Sequence, residues 1–339
     1  MWRRILTFWA QNRHKARIFA LRATGRRMTI AFTFPGQGSQ AVGMGRALAD
    51  AFPEARAVFD EVDSALGEKL STIIFEGPIE TLTLTENAQP ALMAVSLAAA
   101  RSLAARGIGM ERVAYVAGHS LGEYSALAAS GSLSLADAAR LLRTRGRAMQ
   151  EAVPVGQGAM AALLGLDLEA ASAIAADAAE GEVCAAANDN GAGQVVVSGN
   201  KAAVERAVEL AKERGARRAV LLPVSAPFHC ALMAPAAAVM AEALRQVTIS
   251  APTAAVVANV TARAETDPEA IRRNLIDQVT GMVRWRETVG YLAGAGVDTF
   301  VEVGAGKVLS GLAKRIVDGV ETVTAGTPED IDAAAAKLA

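Results

Sequence analysis

Apolar positions along this chain alternate between short buried runs and longer stretches of helical spacing. Thr29-Ile30-Ala31-Phe32-Thr33-Phe34 and Val113-Ala114-Tyr115-Val116-Ala117 read as buried strands. Pro53 suits the first turn of one helix. Pro90 suits the first turn of a second that runs to Gly107. That second helix is nearly apolar all round, with Leu92, Val95, Leu97 and Leu103 separated by alanines, so it is expected to be buried. Ser134 with Asp137 forms a Ser-x-x-Asp capping signature at the head of a helix reaching Gln150.

Residues 155–224 follow another order. Strands are expected over 159–166, 183–187, 194–198 and 218–223, and helices over 168–179 and 201–214, with Asn188-Asp189-Asn190-Gly191 as a turn. The order β-α-β-β-α-β predicts a ferredoxin-like subdomain. Beyond it, helix 231–246, strand 255–258, helix 268–279, strand 298–303 and helix 307–316 restore the α/β alternation. The fold class expected is α/β: a large domain over 28–154 and 225–339, α/β-hydrolase-like with a mostly parallel sheet, interrupted by the small subdomain at 155–224.

Composition sharpens this picture. Hydrophobic residues make up 52% of the 339 and aromatics 4%, so the core must be aliphatic and rich in alanine. Net charge is −1, which argues against nucleic acid as the main partner. Residues 1–27 hold eight Lys or Arg and no acid, while the rest of the chain carries 26 basic against 35 acidic residues. An Arg-rich, acid-free start resembles a transit peptide but lacks serine. The compact protein is expected to begin at Met28, with 1–27 a basic, disordered extension. Cys184 and Cys230 are the only cysteines. Two cysteines suit reduced thiols in the cytoplasm better than a disulfide framework or a metal site. No apolar run approaches the roughly 18 residues of a membrane span, since Ala91–Ala100 is stopped by Arg101.

The candidate chemistry centres on Gly118-His119-Ser120-Leu121-Gly122, a G-x-S-x-G nucleophile elbow between a strand and a helix. Serine is a weak nucleophile and needs a base in hydrogen-bond reach. Of the three histidines, His14 lies in the basic arm and His119 adjoins the nucleophile, where it is read as support for the turn. His229, in Pro227-Phe228-His229-Cys230, is the best base candidate. The loop Phe34-Pro35-Gly36-Gln37-Gly38-Ser39-Gln40 is placed to aim a backbone N–H at an oxyanion. No phosphate-loop motif is present, and Gly304-Ala305-Gly306-Lys307 is a poor dinucleotide fingerprint, read as structural or substrate-lining.

Five stretches together resemble the malonyl-CoA:acyl carrier protein transacylases. They are residues 34–40, Gly118–Ala126, Arg145-Gly146, Ala226–Met233 and Glu302–Leu309, in that family's order and spacing from Met28 to about Val317. The resemblance implies Ser120 as the acylated nucleophile and His229 as its base. It implies an oxyanion hole from the backbone amides of Gln37 and Leu121, and Arg145 as the grip on the malonyl carboxylate. A planar guanidinium suits that task through paired hydrogen bonds, although on pattern alone Arg145 reads as a solvated helix-face arginine like Arg143 and Arg147. A backbone carbonyl near Gln278 is expected to orient His229 in place of an acid, and Asn190 matches a position near bound substrate. Phe228 before His229 implies malonyl over methylmalonyl. The chain departs from the family at Ala305, often Pro, and at Ala258-Asn259, often Asn-Asn, differences expected to touch loop rigidity more than chemistry.

What the resemblance implies is malonyl transfer from malonyl-CoA to the phosphopantetheine thiol of acyl carrier protein in fatty acid biosynthesis. Composition hints at a monomer and the two reduced thiols at the cytoplasm; exchange between two thioesters, close to energetically neutral, needs no metal or redox cofactor, and neither a membrane nor nucleic acid is expected as a partner. Alternatives are a polyketide-type acyltransferase, a serine thioesterase or esterase, and an inactive carrier-docking subunit. Lys201, Arg217 and Arg218 are either a carrier-facing patch or a solvated face.

Overall fold

The computed structural model of the protein describes residues 28–339; the basic arm, and the reading of it as an extension, lie outside the described residues. In chain order the strands are β1 (Ile30–Phe34), β2 (Val113–Gly118), β3 (Gly158–Leu164), β4 (Cys184–Asp189), β5 (Gln194–Asn200), β6 (Arg218–Leu221), β7 (Ala255–Val257), β8 (Ala264–Glu265), β9 (Thr299–Val303) and β10 (Glu321–Ala325). They form two sheets.

The first sheet has the order β10-β9-β1-β2-β7-β8. Every pairing in it is parallel except β7 with β8. All five residues of central β1 are buried, as a parallel strand covered on both faces requires. Helices Thr85–Ala105 and Leu135–Glu151 pack against each other and help build the main core. Ser134 caps the second of these, its hydroxyl accepting from the Asp137 amide.

The second sheet has the order β4-β5-β3-β6 and is antiparallel throughout. Helices Leu168–Ala179 and Lys201–Glu213 cover it and enclose an aliphatic core of their own, with Leu163, Ile174, Val197 and Val204 at its centre. Its edge strand is tied to the first unit through Val283. The Val283 amide donates to the Ala187 carbonyl at 2.9 Å, and the Asp189 amide donates to the Val283 carbonyl at 2.9 Å.

Some sequence expectations are corrected. Pro90 is not in a first turn: the helix begins at Thr85, so Pro90 sits inside it. Burial decides the start, because Asn87, Ala88 and Gln89 are already inside the core. Asn188 and Asp189 belong to β4, pairing with Val196 and Val195, rather than to the turn. The helix expected over 231–246 opens as a short 3-10 turn, Ala231–Met233, before Ala234–Arg245. Strands β8 and β10 and helices Trp285–Gly294 and Pro328–Leu338 were not anticipated. β10 (Glu-Thr-Val-Thr-Ala) has only two apolar residues and buries only Ala325 fully, and β8 has only two residues, too few for a period. No helix among the described residues is long and apolar enough to cross a membrane.

The elbow lies against the end of β1. The His119 amide donates to the Phe34 carbonyl at 3.0 Å. A Cβ added at Gly122 would sit 2.3 Å from the same oxygen, so the turn admits no side chain there. Gly122→Ala is expected to cost about 1–3 kcal/mol through overpacking, seen as a lowered thermal midpoint; an unchanged midpoint would contradict this packing.

Candidate active site

Ser120 has φ 52°, in the left-handed region that a side-chain-bearing residue keeps only when its surroundings hold it. Two buried amides do so. Asn259 Oδ1 accepts from the Ser120 amide at 2.7 Å while its Nδ2 donates to the Gly118 carbonyl at 2.6 Å. Gln278 Nε2 donates to the Ser120 carbonyl at 3.0 Å. The serine is only half-buried, at the start of helix Gly122–Ala129.

His229, also at positive φ (60°), comes from the chain return after β6. Its Nε2 lies 2.7 Å from Ser120 Oγ. Its Nδ1 faces the carbonyls of Gln278 at 2.9 Å and Gly281 at 3.1 Å. Two carbonyls can only accept, so Nδ1 carries the proton and Nε2 is free to accept from the serine hydroxyl. Burial, and then the Arg145 charge, push the His229 pKa down to about 3, against the pull of those carbonyls. The imidazole is therefore neutral at physiological pH, the state a general base requires.

Arg145, expected on pattern to be solvated, is 2% exposed. Its Nη1 donates to Gln89 Oε1 at 2.7 Å, and its Nη2 to Gln278 Oε1 at 2.8 Å and Ser120 Oγ at 3.1 Å. Its Nε is buried with no partner among the described residues. All its acceptors are neutral, so a buried cation stands beside Ser120 with donor capacity to spare. Arg143 is buried as well, bonded to Asn87 and Glu68; of the three neighbouring arginines only Arg147 is largely exposed. The helix presents its charged face to the Thr85–Ala105 helix, which supplies Asn87 and Gln89.

The Gln37 loop is joined to the same network. Gln37 Oε1 accepts from Thr85 Oγ1 at 2.9 Å, and Thr85 Oγ1 accepts from Gln89 Nε2 at 3.0 Å. An added Cβ at Gly36 would lie 2.7 Å from the His119 carbonyl, so loop and elbow are in close contact. The Gln37 and Leu121 amides have no backbone acceptor among the described residues. His119 bonds through Nε2 to Asn190 Oδ1 at 2.9 Å, its ring near Trp285, and not to Ser120. Burial lowers its pKa. Asn190 is thus at the site, brought there by the second sheet. Phe228 is buried in the main core.

Sequence reading missed Glu123, Gln89, Thr85 and the side chains of Asn259 and Gln278. Glu123 accepts from Gln278 Nε2 at 2.8 Å and from the Asn259 amide at 3.1 Å. Burial raises its pKa to about 7, partly offset by those bonds and by Arg145. A lone acid on the otherwise apolar helix Gly122–Ala129 was the available signal. It does not bond to His229, and no carboxylate among the described residues does.

A serine on a strand–turn–helix elbow, paired with a neutral histidine, is the arrangement of serine-nucleophile acyl-group enzymes. The chain belongs to the acyl transferase domain family, whose model matches residues 31–331. It is 48% identical over 309 residues to the malonyl CoA-acyl carrier protein transacylase of Escherichia coli (strain K12), covering 91% of this chain and 98% of that protein. Its structure is similar to the acyl-carrier-protein-S-malonyltransferase from Bartonella henselae, with 58% identity, TM-score 0.90, and 92% and 99% of the two chains covered. It is also similar to a malonyl-transacylase solved in complex with its type II PKS acyl-carrier protein, with 42% identity, TM-score 0.89, and 91% and 99% covered.

The His229 shift fixes a sign. With the folded pKa below the ordinary 6.5, the unfolded chain takes up a proton first as pH falls. The stability contributed by neutral His229 is present above pH 6.5 and is lost as pH falls toward 3. The His229 ring resonances in NMR are expected not to titrate between pH 5 and 8; a midpoint near 6.5 would show the ring to be solvated.

Proposed function

We propose that this protein transfers a malonyl group from malonyl-CoA to the phosphopantetheine thiol of an acyl carrier protein, through a malonyl ester on Ser120. The similar proteins of Escherichia coli and Bartonella henselae are malonyl transferases by name. The single observation that carries the reading in this chain is Arg145: a buried guanidinium 3.1 Å from the nucleophile, bonded only to neutral acceptors. A hydrolase of neutral esters has no use for such a cation, whereas an acyl group ending in a carboxylate supplies the missing anion through paired, charge-assisted hydrogen bonds.

In this reaction Ser120 Oγ attacks the thioester carbonyl as its proton passes to His229 Nε2. The Gln37 and Leu121 amides receive the developing oxyanion. The C–S bond breaks, and the proton on His229 leaves with the CoA sulfur. The carrier thiol then attacks the serine ester, its proton going to His229 and on to Ser120 Oγ as the C–O bond breaks. The Gln278 and Gly281 carbonyls keep His229 in the required tautomer. His119 and Asn190 bond across the gap between the two sheets and support the elbow from that side.

The architecture proposed for this work is an α/β-hydrolase-like domain over 28–154 and 225–339 and a ferredoxin-like subdomain over 155–224. The separate aliphatic core of the second sheet and its strand order support that division. The enzyme is proposed to act in the cytoplasm on fatty acid assembly. The similarity to a polyketide carrier complex keeps polyketide assembly as the second reading.

Incubation with malonyl-CoA is expected to add one malonyl group to the intact mass, and Ser120→Ala to abolish the adduct. Rapid release of free malonate without carrier protein would instead identify a hydrolase. Arg145→Ala is expected to lower malonyl transfer by roughly 100-fold or more, the order set by losing a buried charge-assisted pair, without gaining transfer of acetyl groups. Unchanged malonyl kinetics would remove the carboxylate role.

A further inference from the structure

We propose that Glu123 is a positioning residue, which aims Arg145 at the acyl carboxylate through the side-chain amide of Gln278. The inference rests on the malonyl-transfer reading for the identity of that carboxylate. Its physical basis is the two-sidedness of a primary amide, whose oxygen and nitrogen ends differ in hydrogen-bond sense but hardly in shape.

Gln278 is completely buried, and its side chain lies between the Arg145 guanidinium and the Glu123 carboxyl group. On one side its Oε1 accepts from Arg145 Nη2 at 2.8 Å. On the other its Nε2 donates to Glu123 Oε2 at 2.8 Å and to the Ser120 carbonyl at 3.0 Å. Turned over, the amide would set N–H against the guanidinium and oxygen against both oxygens of its other partners. Glu123 Oε2 accepts from both the Gln278 and the Asn259 N–H groups, so it joins the Ser120 carbonyl, which can only accept, in favouring the orientation that presents oxygen to Arg145. Glu123 is itself anchored, since the same Oε2 accepts from the Asn259 amide at 3.1 Å. Glu123, Gln278 and Arg145 are thus joined in one chain of hydrogen bonds.

The relay also answers an electrostatic requirement. Arg145 is bonded to no carboxylate among the described residues, and burial works against its charge. Glu123 is near enough to favour that charge, yet Gln278 stands between them. A direct carboxylate partner would occupy the donors that the acyl group needs. An indirect one supports the cation and leaves those donors free. Glu123 reaches the serine turn only through Gln278 and Asn259: the Asn259 side chain bonds the Ser120 amide directly, Gln278 shares the Ser120 carbonyl, and His229 is held by backbone carbonyls. Loss of Glu123 therefore falls on carboxylate recognition more than on serine reactivity.

The test compares single-turnover acylation of Ser120 by malonyl-CoA with the acylation burst from p-nitrophenyl acetate, an activated ester with no carboxylate. Circular dichroism serves as the fold check. Glu123→Ala is expected to slow malonyl acylation by roughly 10- to 100-fold, the range for a buried polar group left without its partner, and to change the acetate burst by less than about threefold on the same argument. Glu123→Gln, which keeps an oxygen able to accept from Gln278 but loses the charge that favours Arg145, is expected to fall between the wild type and Glu123→Ala in malonyl rate. Should the alanine variant not fold, Glu123→Asp carries the comparison, with a shortened carboxylate withdrawn from Gln278 and the same selective loss. Equal losses with both acyl donors, or a wild-type malonyl rate in a folded Glu123→Ala, would overturn the proposal. Absence of any malonyl adduct in the wild-type protein would overturn the malonyl-transfer reading instead.

Discussion

Gln278 closes helix Pro268–Asp277 and meets His229, Arg145 and the Ser120 turn. Its backbone carbonyl faces His229, its amide oxygen takes Arg145, and its amide nitrogen serves both the Ser120 carbonyl and Glu123. His229, the Ser120 turn and Arg145 are thus referred to one residue, its own amide held by the Asn274 and Ile276 carbonyls. Buried polar groups have only partners of fixed sense to choose from, so a network of this kind has one satisfied arrangement. The strained conformations at Ser120 and His229 persist because this network leaves them no alternative.

The two sheets bring different things to that centre. The parallel sheet supplies Ser120 at the end of β2 and the Gln37 loop at the end of β1, the edge at which open α/β sheets place ligands. The antiparallel sheet supplies Asn190, and it reaches the site because β4 is stitched to Val283, a few residues beyond Gln278. The same short stretch, 278–283, therefore orients the histidine and anchors the second unit.

The elbow, its helix, β1 and the succession of strands and helices over 155–224 were legible in the chain because each has a strong local signal: a continuous apolar run, a glycine pair, a capped helix. Arg145 was legible only through resemblance, because a charged residue between Arg143 and Arg147 looks solvated unless one knows that Gln89 and Asn87 face it from another helix. Pro90 misled because proline normally marks a helix start; here the core takes the helix one turn further back. Glu123, Asn259 and the Gln278 side chain stayed hidden for a common reason. Their work is done across 136 to 158 residues of sequence separation, and no periodicity reports such pairings.

A histidine backed by carbonyls is a weaker base than one backed by a carboxylate, since a dipole steadies an imidazolium less than a full charge does. That difference falls unevenly on the two acceptors able to reach an acyl-serine. A thiol, with a pKa of about 8.5, releases its proton with little help; water, at about 15.7, depends heavily on the base. In the proposed reaction this would make His229 strong enough to turn a thiol into a nucleophile and poorly suited to doing the same for water. The lifetime of the ester would then be governed by proton affinity, and the enzyme could wait for its carrier without sealing the site against solvent.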